Sequence, residues 1–148
     1  MIKVINGDLF DTKADVIAHQ VNCQKRMGSG VAKQVRQKFP DVYEYFKEYD
    51  GFLGEVTLVM PDDEKTPIIA NLYAQDKYGY NGKQYTDMDA LRHCFIQLNK
   101  WAAEENYTIA MPYKIGCGRG GAKWTEVKKL MEEIFVDADV ELWKPEKK

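Results

Sequence analysis

Two short glycine-bearing segments hold the residue types from which an anion site is made. They are Arg26-Met27-Gly28-Ser29-Gly30-Val31 and Ile115-Gly116-Cys117-Gly118-Arg119-Gly120-Gly121. Each follows a short apolar run and leads into a helical pattern. Glycine lets backbone N–H groups crowd against a ligand with no Cβ in the way. A helix starting there adds N–H groups without intrahelical partners and the positive end of its dipole. One such segment is often only a turn from strand to helix. Two in one small domain point to a diphosphate clamped from both sides.

Other side chains with chemical potential are scattered. Asp8, after Gly7, could accept hydrogen bonds from an adenine amino group or a ribose hydroxyl, or it could cap a turn. Asn22 leads toward the first glycine segment and could orient a sugar hydroxyl, or serve as a turn residue. Cys117 lies between two glycines, where a helix N-terminus would lower its pKa; the alternatives are a nucleophile and a small space-filling residue. His19 sits in an apolar run and reads as a core residue, while His93 beside Cys94 reads as structural or exposed. No metal-ligand spacing occurs among the two histidines and three cysteines, so neither a metal nor a cofactor is expected. The stretch 75–85 carries Tyr78, Tyr80 and Tyr85 and reads as a cover over a nucleotide or sugar, or as a plain surface loop. Trp101, Trp124 and Trp143 read as packing residues.

These residues need elements to hold them. Residues 1–5, 16–21, 55–60, 68–74, 107–111 and 139–143 read as strands, and 16–21 is apolar enough to be covered on both faces. Val31, Ala32, Val35 and Phe39 fall at helical spacing, Pro40 breaks that helix, and a second short helix follows over 41–49. Thr86 or Asp87 caps a long helix with Met88, Leu91, Phe95, Leu98 and Ala102 inward; a last helix over 124–135 turns Val127, Leu130, Met131, Ile134 and Phe135 to one side. Strands and helices alternate with no repeat or linker, which predicts an α/β sandwich with a mostly parallel or mixed sheet. Ligands in such sheets sit beyond the carboxyl ends of the strands, where both glycine segments and Asp8 would fall.

Composition narrows the function classes. The 148 residues suffice for one core, so 1–148 is expected to be a single domain with 144–148 as a frayed tail. A net charge of −2 argues against general nucleic-acid binding and for local capture of an anion by backbone groups. Three cysteines, Cys23, Cys94 and Cys117, with no paired spacing fit a reducing compartment. No run approaches the ~20 apolar residues of a membrane span and no signal-peptide core is present. A cytoplasmic monomer without membrane contact is the expectation.

Four motifs in order carry a family resemblance: Gly7-Asp8-Leu9-Phe10, His19-Gln20-Val21-Asn22, Met27-Gly28-Ser29-Gly30-Val31-Ala32 and Met111-Pro112-Tyr113-Lys114-Ile115-Gly116-Cys117-Gly118. Together they resemble the macro domain, in the branch that holds terminal ADP-ribose glycohydrolases and ADP-ribose-1″-phosphate-processing proteins. The resemblance runs over about 1–143. It implies a three-layer α/β/α sandwich around a mixed sheet with ADP-ribose in a cleft at its edge. It further implies that Asp8 and Leu9 contact adenine and that Asn22 lies by the distal ribose. Met27, Gly28, Ser29, Gly30 and Val31 would form one phosphate loop, and Ile115, Gly116, Cys117, Gly118, Arg119 and Gly120 the other.

The implied catalytic positions do not carry over. The de-ADP-ribosylating members of this branch use a lysine at the end of the central strand and an aspartate just after Gly-Cys-Gly. Here those positions hold Gln75 and Gly120, which supply neither an amine nor an acid, with Asp76 and Lys77 as the neighbours that a shifted register would bring in. The resemblance therefore leads to an ADP-ribose-binding macro domain that hydrolyses derivatives such as ADP-ribose-1″-phosphate or O-linked ADP-ribosyl esters, with Asn22 orienting the attack of a water. A non-catalytic reader of ADP-ribose or ADP-ribosylated macromolecules is the alternative. A nucleic-acid module is disfavoured by the acidic balance.

Overall fold

A strand apolar on both of its faces has to be covered on both. In the computed structural model, which describes residues 1–79 and 81–146, the run beginning at Val16 becomes β2 (Val16–Asn22) near the centre of a six-stranded sheet. The other strands are β1 (Ile2–Asn6), β3 (Val56–Val59), β4 (Ile68–Gln75), β5 (Ile109–Pro112) and β6 (Val140–Lys144), in the order β1-β6-β5-β2-β4-β3. All neighbours run parallel except β3, which lies antiparallel to β4 at one edge. The sheet is thus mixed and mostly parallel.

Helices α1 (Gly30–Lys38) and α2 (Pro40–Glu48) cover one face, with Val35, Val42 and Phe46 packed on Ile17, Val21 and Tyr73. Helices α3 (Met88–Glu105) and α4 (Trp124–Ile134) cover the other, with Leu91, Phe95, Val127 and Met131 against Ala18, Leu72 and Met111. This is the expected three-layer α/β/α sandwich. Asp87 is the residue that caps α3, its Oδ1 accepting from Ala90 N at 3.0 Å, and Pro40 opens α2, where a missing N–H costs nothing. One element went unforeseen: a 3-10 turn at Leu9–Asp11, with Asp8 Oδ1 accepting from Phe10 N at 2.9 Å. Lys144 closes β6 opposite Asn6. Lys147 and Lys148 of the expected tail, and Tyr80 of the expected tyrosine cover, lie outside the described residues. Among the described residues no helix is long and apolar enough to cross a membrane.

A polar thread crosses the α1/α2 face of the sheet. His19 Nε2 meets Asn71 Oδ1 at 2.7 Å, and Asn71 Nδ2 donates to Thr57 Oγ1 at 3.2 Å. Asn71 thereby presents its oxygen to the ring, so His19 carries its proton on Nε2. Burial disfavours the imidazolium and pushes the His19 pKa down from 6.5 to about 4, with the Asn71 bond opposing in part. The unfolded chain takes up this proton below about pH 6.5 and the folded chain does not. Stability is therefore lost as pH falls from 6.5 toward 4, by about 3 kcal/mol in all. Urea denaturation at stepped pH should show this loss, and His19→Asn should flatten it.

Candidate functional site

The loops that leave the carboxyl ends of β2, β4 and β5 enclose a cleft of about 580 Å³. Of the residues singled out from the sequence, it brings together Asn22, Met27, Gly28, Ser29, Gly30, Val31, Ile115, Gly116, Gly118, Arg119 and Gly120. Asp8, Leu9 and Cys117 do not line it. Asp8 and Leu9 stand on the same sheet edge, after β1, with β6 between them and β5.

The first loop is built from a tight turn. Asn22 is buried; its Oδ1 accepts from Gln24 N (3.0 Å) and Arg26 N (3.2 Å), and its Nδ2 donates to Arg26 O (3.0 Å). Within this turn Lys25 takes φ 61, and its Nζ pairs with Asp50 at 2.6 Å. Met27, fully buried, pins the loop to the core before it reaches Gly28 and Gly30. A Cβ on either glycine would meet nothing within 4 Å, so both backbones border open space. Ser29 is the N-cap of α1 but its side chain makes no capping bond, and the first helical bond is Lys33 N to Ser29 O. The N–H groups of Gly30, Val31 and Ala32 are thus left without intrahelical acceptors at the cleft wall.

The second loop folds back on itself instead of entering a helix. Cys117 N donates to Lys114 O, Gly121 N to Gly118 O and Ala122 N to Gly116 O, each near 3 Å. Helix α4 starts at Trp124, where the apolar spacing of 124–135 puts it, and residues 122–123 separate it from the glycines. Among the described residues the N–H groups of Gly116, Gly118 and Gly120 have no acceptor. Successive backbone N–H groups in such a turn form an anion-binding nest. Gly118 borders open space, as Gly28 does.

Gly116, Gly120 and Gly121 are glycines for a different reason. A Cβ on Gly120 would lie 2.3 Å from Thr86 Oγ1 and 2.6 Å from Gly116 O, and one on Gly121 would lie 2.6 Å from Lys83 O. These glycines let residues 83–86 pack against the back of the loop. Gly120 therefore has no room for the acidic side chain that the family resemblance sets there in other members. Gln75 is equally committed: its Oε1 accepts from Gln20 Nε2 at 2.7 Å and its Nε2 donates to Lys77 O at 2.9 Å. Tyr78 and Gly79 reach the cleft, whereas Asp76 and Lys77 do not line it.

Cys117 needs a correction. Burial pushes its thiol up from the ordinary value, Lys114 opposing only in part, and Sγ points to Ile115 O at 3.5 Å. With no helix N-terminus adjoining it, the source of the expected lowering is missing. Cys117 is a packing residue of the loop.

Charge completes the site. Arg26, Arg36, Lys114 and Arg119 line the cleft, and among the described residues no Asp or Glu does, in a chain whose net charge is −2. Arg36, whose guanidinium stacks 4.0 Å from the Tyr43 ring, and Gln20 were not foreseen as site residues. The position of Arg36 off the apolar stripe of α1 was the only sequence signal for it.

The Macro domain model matches residues 18–131. The chain belongs to the macro domain family. It is 30% identical to a 17.5 kDa protein encoded between tk and vs in Enterobacteria phage T4, with 98% of each chain covered. It is also 30% identical to the human ADP-ribose glycohydrolase OARD1, over 95% of this chain and 88% of that protein. An ADP-ribose 1″-phosphate phosphatase of Scheffersomyces stipitis is 27% identical over 95% of this macro domain. In fold it is similar to the macrodomain of Mycobacterium tuberculosis DarG, with TM-score 0.84 at 22% identity over 99% of both chains.

The two kinds of glycine separate experimentally. Gly120→Ala should destabilise the fold by about 2 kcal/mol through overpacking, whereas Gly118→Ala should change stability by less than about 0.5 kcal/mol. Chemical denaturation of the two variants checks this.

Proposed function

We propose that this macro domain binds ADP-ribose and hydrolyses linkages at its distal ribose, with ADP-ribose-1″-phosphate and O-linked ADP-ribosyl esters as substrates. The observation that carries the reading is the cleft wall: unpartnered N–H groups from both glycine loops, four cations, and no carboxylate among the described lining residues. A diphosphate lying between the loops would receive N–H groups of α1 on one side and of Gly118 and Gly120 on the other. Asp8 and Leu9 would receive adenine at the β1 end. The human and yeast relatives named for ADP-ribose chemistry support the same ligand.

The lining also bears on the reaction. His19 is held neutral and tied to Asn71, and Gln75 is tied to Gln20 and Lys77 by hydrogen bonds. Among the described lining residues there is no Asp, Glu or Cys and the one histidine is held neutral, so no carboxylic acid, thiol or imidazolium is at hand to protonate a leaving group near neutral pH. Carboxylate and phosphate leave without a proton, which matches esters and the 1″-phosphate. In this reading a water is the nucleophile, Asn22 positions the distal ribose through its remaining Nδ2 hydrogen while holding the turn 22–26, and the loop N–H groups stabilise developing charge. The committed Gln75 and the sealed Gly120 also favour a second reading, a non-catalytic reader of ADP-ribosylated macromolecules. A cytoplasmic monomer with no general affinity for nucleic acid fits the scattered free cysteines and the acidic balance.

Calorimetry with ADP-ribose should give binding for the wild type and at least a tenfold weaker affinity, about 1.4 kcal/mol, for Gly28→Val and Gly118→Val, with folding intact in both. Normal binding by both variants would rule out the two-sided clamp. Phosphate release from ADP-ribose-1″-phosphate should be slow and nearly constant from pH 6 to 8.5. Binding without any release would select the reader.

A further inference from the structure

The second glycine loop is held from behind by a side chain that does not line the cleft. Thr86, the residue before the Asp87 cap of α3, is 4% exposed. Gln20 Nε2 donates to Thr86 Oγ1 at 2.8 Å. An amide nitrogen can only donate, so the single hydroxyl hydrogen of Thr86 goes to its other neighbour, Gly116 O, at 2.8 Å. The Thr86 main-chain N–H donates to Gly120 O at 2.9 Å, and Tyr85 N–H to the same oxygen at 2.7 Å. The hydroxyl therefore stands between the two ends of the nest, and it can do so only because Gly116 and Gly120 have no Cβ: one would lie 3.3 Å and 2.3 Å from Oγ1. The same Gln20 nitrogen reaches Gln75 Oε1, and Gln75 bridges to Thr86, so the base of the 76–85 segment is tied to the loop as well.

We propose that Thr86 is the positioning residue of the second phosphate loop, its hydroxyl holding Gly116 O while its main-chain N–H holds Gly120 O, so that the N–H groups of Gly118 and Gly120 are aimed at the bound diphosphate before it arrives. This rests on the ADP-ribose reading above. Donors fixed in advance need no ordering when the ligand binds, which is where affinity is gained. Removing the hydroxyl leaves Gly116 O and Gln20 Nε2 without that partner and frees the loop to relax.

The test compares Thr86→Val, which keeps shape and loses the hydroxyl, with Thr86→Ala and Thr86→Ser, each titrated with ADP-ribose and with adenosine. Thr86→Val and Thr86→Ala should bind ADP-ribose roughly tenfold more weakly than wild type. Thr86→Ser should stay within about twofold, and adenosine, which has no phosphate, should bind all four proteins alike. The proposal is overturned if Val and Ala bind ADP-ribose as wild type does, if Ser is no better than Val, or if adenosine is lost in the same proportion. It is also overturned if neither Val nor Ala folds while Ser does, since Thr86 would then serve the fold alone. A wild type that binds adenosine but not ADP-ribose overturns the functional reading first and this proposal with it.

Discussion

Backbone N–H groups that have no partner inside the protein are the constraint around which this cleft is arranged. Buried, such groups would be costly; at the open carboxyl edge of a parallel sheet, water satisfies them until an anion does. Because β2 and β5 run parallel, the two glycine loops leave the sheet on the same side and face each other. The left-handed residues Lys25 and Lys114 stand just before the two loops and turn the chain into them. An Asp or Glu in the lining would compete for these donors, and the described wall carries none.

The glycines divide into two groups that composition alone makes look alike. Gly28 and Gly118 border empty space, so their missing side chains matter to whatever enters the cleft. Gly116, Gly120 and Gly121 border Thr86, Gln20 and Lys83, so theirs matter to how the loop is held. The packing that supports the nest also excludes an acid from position 120. Support of the second glycine loop and the lack of room for an acid at position 120 are thus one structural choice.

Much of the scaffold was legible in the sequence because it depends on local pattern. The apolar run of β2 read as a strand covered on both faces and that of β4 as a strand, and Thr86-Asp87 before Met88 marked the start of α3. Both glycine loops were found for the same reason. What stayed hidden depends on contacts distant in sequence: Gln20 and Thr86 are 66 residues apart, and Thr86 and Gly116 are 30 apart. The Cys117 thiol is raised and not lowered because burial in the folded-back loop outweighs Lys114, and that packing leaves no mark in the local sequence. The 3-10 turn after Asp8 was too short for any periodicity to show.

We propose that one diphosphate is held by main-chain donors from both loops at once. Titration of ¹⁵N-labelled protein with ADP-ribose, followed through the amide resonances, tests it directly. Concerted downfield movement of the Val31, Ala32, Gly118 and Gly120 amide protons with a single affinity is expected. Movement confined to one loop, or none in either at saturating ligand, would contradict it.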